Sequence, residues 1–118
     1  MKIQNYKELK VWGKGIDIVH KVYELTKNFP NQEKFALVPQ MRRSAVSIPS
    51  NIAEGFMRHH TKEYIRFLFI ALSSCAELET QLIISNKQGY LTDKRLTELQ
   101  EDIDHENRML MNLIKNLN

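Results

Sequence analysis

MRRSAVSIPSNIAEG, residues Met41–Gly55, carries two stripes at once. Met41, Ala45, Ile48 and Ile52 step by three and four, the spacing that gathers side chains on one face of a helix. Arg43, Ser47, Ser50, Glu54 and Arg58 recur at helical spacing on the opposite side, so a polar ridge runs beside the apolar one. Pro49 stands in the middle of the segment. It brings no N–H and frees the Ala45 carbonyl, which predicts a bend relieved by Ser47 or Ser50. The pattern predicts a helix over about 39–58, with Pro39 in its first turn and an end near Gly55 or His60.

Downstream, Thr61 reads as an N-cap with Glu63 in the first turn, and the helix it opens continues to Lys87. Gly89 then offers a left-handed stop. The core face is Tyr64, Leu68, Ala71, Cys75, Leu78 and Leu82, with Cys75 as a small packing residue. Ile65, Phe67, Phe69 and Ile70 point in other directions, and between Tyr64 and Leu72 only Arg66 is strongly polar. A helix apolar all round is buried all round, which in so small a chain indicates a subunit interface. Thr92 caps a fourth helix reaching Leu117. Leu96, Leu99, Ile103, Glu106, Leu110, Leu113 and Leu117 follow a seven-residue repeat suited to near-antiparallel packing; Glu106 is either a buried partner for an arginine or, the preferred assignment, a residue at the edge of the stripe.

Upstream, Asn28-Phe29-Pro30-Asn31 breaks the chain, and a short link through Phe35 and Leu37 leads to Pro39. The first helix is predicted over 7–27, with Leu9, Trp12, Ile16, Val19 and Tyr23 facing the core. Lys7, Lys10, Lys14 and Lys21 gather on the opposite face. Such a stripe is either a solvated surface or a track for phosphates. Gly13 and Gly15 weaken this helix and allow a close approach by another. The architecture is therefore all-α, an up-down-up-down four-helix bundle, with residues 1–118 as one domain.

Composition agrees. The 118 residues suit a single core, and four glycines with three prolines leave room for few turns. One cysteine excludes an internal disulfide and fits a reducing cytoplasm. No signal peptide is read in Met1–Asn28, and no apolar run reaches the roughly 20 residues of a membrane span. The net charge of +3 is uneven. Residues 1–66 hold twelve Lys/Arg against six Asp/Glu, and residues 67–118 hold five against eight. This polarity points one side of the molecule toward a polyanion or an acidic partner.

The runs QMRRSAVSIPSNIAEG and ALSSCAELETQL resemble the four-helix-bundle proteins encoded in intervening sequences of bacterial 23S ribosomal RNA genes. Accessory variability proteins of diversity-generating retroelements belong to the same wider group. The resemblance extends from LKVW at Leu9–Trp12 through the fourth helix. It implies the bundle fold and assembly as a ring-like homopentamer. Most members have no assigned activity. Arg42, Arg43, Ser47, Asn51, Glu54 and Glu77 match the family signature, either as pairs fixing register across helices or subunits, or as ligand contacts.

Catalytic readings are weak. A dinuclear metal site would use Asp17-x-x-His20 and Asp102-x-x-His105 with Glu54 and Glu77, but these residues point away from their helices' apolar centres. Adjacent His59 and His60 in a turn more often meet water than metal. No phosphate loop, nucleophile elbow or paired-cysteine site is present. The expectation is a non-enzymatic scaffold, cytoplasmic, without metal or cofactor, binding RNA or an RNA–protein assembly. Its candidate contacts are Lys7, Lys10, Lys14, Lys21, Arg42, Arg43 and Arg58. Ser47, Asn51, Glu54, Ile65, Phe69 and Glu77 are the candidate interface or structural ridge. The alternative is a protein–protein adaptor.

Overall fold

The structure is a computed structural model describing residues 2–118. Four helices run α1 (Lys10–Thr26), α2 (Leu37–Phe56), α3 (Thr61–Lys87) and α4 (Asp93–Leu117); a longer link holding a 3-10 turn at Asn31–Glu33 joins α1 to α2, and short turns join the others. Each packs on the next, and α4 returns to α1, so α1 and α3 occupy diagonal corners of an up-down-up-down bundle. The core contains Met41, Ala45, Ile48 and Ile52 from α2 and Leu68, Ala71, Cys75, Leu78 and Leu82 from α3, all fully buried. Leu99, Ile103, Leu110 and Ile114 complete it from α4.

Two boundaries differ from the sequence reading. Lys7 does not belong to α1: Tyr6–Glu8 form a separate 3-10 turn, capped by the Asn5 side chain accepting from the Lys7 amide. Thr61 is the first residue of α3, not its cap; His60 holds the cap position without a side-chain bond. Thr92 does cap α4, accepting from the Arg95 amide, and Gly89 takes the left-handed conformation at φ 82°. Helix α2 ends at Phe56, beside Gly55, as expected. An added Cβ at Gly55 would stand 2.8 Å from the Phe67 Cβ, so a glycine here lets α2 and α3 close up.

The face of α1 is also corrected. Val11, Gly15, Ile18, Val22 and Leu25 are buried, whereas Ile16 is 41% exposed and Tyr23 38%. The helix carries two apolar stripes, and the inner one is the one interrupted by glycine. Gly15 is tightly enclosed there: a Cβ would lie 3.2 Å from the Pro49 ring and 3.1 Å from Glu106 Oε2, so a neighbour would have to shift to admit it. Gly13 has open space instead.

Helix α3 is, by length and composition, apolar enough to cross a membrane, with an 18-residue window of mean hydropathy 1.5. Its apolarity has a local cause, since it supplies core side chains toward both α2 and α4.

Candidate nucleic-acid interface

The lysine stripe of α1 is divided by the fold. Lys14 Nζ and Lys21 Nζ each donate to one carboxylate oxygen of Asp102 on α4, at 2.7 and 2.6 Å. Burial tends to raise the Asp102 carboxyl, but the hydrogen bonds and charges of the two lysines outweigh it and leave the group below its usual range. These two ammonium groups close a seam between helices. Sequence reasoning missed this because the partner is 81 and 88 residues away.

One turn further along α4, Glu106 is fully buried, which overturns its assignment to the edge of the stripe. The seven-residue period was the correct signal, and polarity misled. Neither carboxylate oxygen has a hydrogen-bond partner among the described residues. Burial pushes this carboxyl up to about 8, against the pull of the Lys14 ammonium. It is therefore largely protonated at neutral pH. Burial likewise pushes the Cys75 thiol up to about 12, with Glu106 and Glu79 adding to the effect, so this thiol is a poor nucleophile.

The other cations sit differently. The antiparallel order brings the start of α1, the end of α2 and the start of α3 to one end of the bundle. An aromatic chain crosses this end. The Tyr6 ring meets Trp12 at 5.6 Å and Phe56 at 6.5 Å, and Phe56 meets Tyr64 at 6.1 Å. Around it stand Lys7, Lys10, Lys62 and Arg66, all exposed and none within 4.0 Å of a carboxylate among the described residues. Arg58 lies over the Phe67 ring at 4.7 Å and approaches Glu54 and Glu63 at 3.9 Å each, contacts too long and exposed to neutralise it.

Arg42 is held inside the fold, donating from Nε to Thr26 Oγ1 at 3.0 Å and stacking 4.4 Å from the Tyr23 ring centroid. Arg43 is exposed and lines a polar hollow with Gln40, Ser44, Ser47 and exposed Glu77. Ser47 bonds Ser74 across the α2–α3 seam at 2.8 Å, and Asn51 Nδ2 donates to both the Ser47 carbonyl and its hydroxyl. Ser47 thus ties α2 to α3, and Asn51 braces it from within α2. Ile65 is half-buried and Phe69 is 48% exposed; Phe69 lines an apolar groove toward α4, and both line a second hollow beside Lys62 and Arg66.

Among the described residues no three His, Cys, Asp or Glu side chains gather as a metal site requires. Asp17, His20 and His105 face solvent, and Asp102 is already engaged by lysines.

Comparison with solved structures gives a crystal structure from Bacteroides thetaiotaomicron VPI-5482, a protein of unknown function from the S23 ribosomal protein family. The two superpose with a TM-score of 0.80 at 27% identity, covering 89% of this chain and 98% of that one. No curated protein matches the chain. The family model described as 23S rRNA-intervening sequence protein matches residues 7–112, the whole of the bundle except the last turn of α4. With fold and sequence in agreement over that span, the chain belongs to the 23S rRNA-intervening sequence protein family.

Proposed function

We propose that this protein is a non-catalytic, oligomeric scaffold of the cytoplasm that holds the phosphate backbone of a structured RNA at its basic end. The observation that carries this reading is the group Lys7, Lys10, Lys62 and Arg66, cations without carboxylate partners at one end of the bundle. Arg58 adds to it. Lys14 and Lys21 do not, because Asp102 holds both. The nearby aromatic rings pack on one another, so recognition is directed at the backbone and is weakly specific. Assembly as a homopentamer, which the family resemblance implies, repeats the basic end five times and converts weak phosphate contacts into useful avidity.

RNA binding across a salt series tests this. Each phosphate contact to single-stranded RNA contributes about −0.7 to the slope of log affinity against log salt. The double variant Lys7→Glu/Lys10→Glu should flatten the slope by about 1.4 for each subunit that engages the RNA, while Lys21→Glu leaves it unchanged. Absence of binding by the wild type at low salt would overturn the RNA reading in favour of a protein–protein adaptor.

A further inference from the structure

We infer that the seam between α2 and α3 carries a binding site for a free amino acid, held as its zwitterion between Arg43 and Glu77. This goes beyond the scaffold reading and stands apart from the basic end of the bundle. The site is a hollow of about 410 Å³ lined by Gln40, Arg43, Ser44, Ser47 and Glu77. Its lining is wholly polar, whereas the larger hollows at α3–α4 and beside Tyr90 each include apolar side chains. Its volume falls at the lower end of the range for small-molecule sites.

The two charges in this hollow are unpaired. Arg43 and Glu77 both line it, yet neither comes within 4.0 Å of an opposite charge among the described residues. Gln40 takes the Ser44 hydroxyl on its backbone carbonyl at 3.0 Å, which leaves its side-chain amide free. The floor is fixed, because Ser47 bonds Ser74 and accepts from Asn51. A further acceptor lies in the α3 wall. Phe67, Ser74 and Ser85 of α3 meet Gly55, Ser47 and Met41 of α2. Helical spacing puts Gln81 on that stripe, between Ser74 and Ser85 and so level with Ser44. Gln81 is 6% exposed, and its Oε1 has no hydrogen-bond partner among the described residues. The α3 wall thus presents two acceptors one turn apart, the Glu77 carboxylate and the Gln81 amide oxygen.

The two walls therefore differ in kind. On α2, the Arg43 guanidinium is a planar fork that matches a carboxylate. On α3, the acceptors suit an ammonium group. A phosphate or other simple anion would be repelled by Glu77, and a simple cation by Arg43. A molecule bearing both charges satisfies both walls, and an α-amino acid carries them on a single carbon. The polar lining gives a large apolar side chain nothing to pack against, so small polar amino acids are favoured. Gln40, Arg43 and Glu77 are exposed, so water screens the pairs and the Kd is on the order of 1 mM.

The experiment titrates the isotope-labelled full chain with L-serine and follows its amide resonances. A saturable shift centred on Arg43, Ser44, Ser47 and Glu77 is expected. Arg43→Gln and Glu77→Gln should each weaken binding by at least about tenfold. Both side chains are exposed, so urea midpoints should stay at the wild-type value. Acetate and methylammonium, each carrying half of the zwitterion, should bind the wild type at least about tenfold more weakly than serine. No saturable shift with serine would overturn the proposal. Acetate binding as tightly as serine would overturn it in favour of a simple anion site, and L-leucine binding as tightly would overturn the preference for small polar side chains. A changed assembly state in either variant, with no serine binding by the wild type, would reassign Arg43 and Glu77 to a contact between copies. None of these outcomes bears on RNA binding at the basic end, which the salt series reads separately.

Discussion

The α2–α3 seam and the α1–α4 seam of this bundle are closed by different physics. Between α2 and α3, Gly55 lets the backbones approach, and the polar contact is a hydroxyl pair, Ser47 with Ser74. Between α1 and α4, Lys14 and Lys21 converge on Asp102, and buried Glu106 lies one turn beyond. The first seam depends on shape and is indifferent to pH. The second is electrostatic, and two carboxyls four residues apart respond to pH in opposite ways. Asp102 keeps its charge because two ammonium groups reach it; Glu106 loses its charge because water does not.

The largest test concerns Glu106. Its folded carboxyl titrates near 8, above the ordinary 4.5, so the folded state binds the proton more tightly than the unfolded one. The stability that results is complete below about pH 4.5 and drains away as pH rises toward 8. The loss should be on the order of 4 kcal/mol. Urea unfolding between pH 5 and 8 should show this decline in the wild type and a flattened profile in Glu106→Gln. Equal slopes in the two proteins would remove the contrast between the seams.

A smaller effect probes the other seam. Gly55→Ala should cost about 1–3 kcal/mol through overpacking against Phe67, independent of pH. Gly13→Ala, where the added methyl meets open space, should instead gain about 0.5–1 kcal/mol. If the two alanines shift the urea midpoint alike, close approach does not explain Gly55.

The smallest effect is at Lys21, whose side chain is half exposed. Lys21→Met should cost about 0.2–1 kcal/mol, and the difference should shrink in 1 M salt. A salt-insensitive loss would mean that the side chain's packing, not its charge, closes the seam.

What could be read in advance follows the same division. The stripes of α2 and α4 were legible because one period dominated each, and the inner face of α3 was legible despite apolar residues on its other sides. Helix α1 was only half legible: Leu9, Trp12 and Val19 do pack against the core, but Ile16 and Tyr23 are exposed, and the true inner stripe, equally regular, is smaller and holds a glycine. Periodicity weighs side-chain size, yet the deciding fact was the space beside Pro49, which only Gly15 leaves open. Glu106 was misplaced for a related reason: a carboxylate is costly in a core, and the sequence does not show how burial can discharge it. Among the candidate contacts, Lys7 and Lys10 were separable from Lys14 and Lys21 only once Asp102 had a position. The ridge residues Ser47 and Asn51 were recognisable as a pattern, but the bond from Ser47 to Ser74 reaches another helix.

The Pro49 ring resting against Gly15 acts as a key in a slot. Sliding α1 along α2 by about one turn, roughly 5.4 Å, would bring the ring against a side chain such as Ile18 in place of the bare Cα. The close fit therefore helps to index the two helices axially. Whatever α1 displays outward, its lysines, its carboxylates or its spare apolar stripe, is delivered at a fixed height on the molecule, and a repeated assembly can rely on that height from one copy to the next.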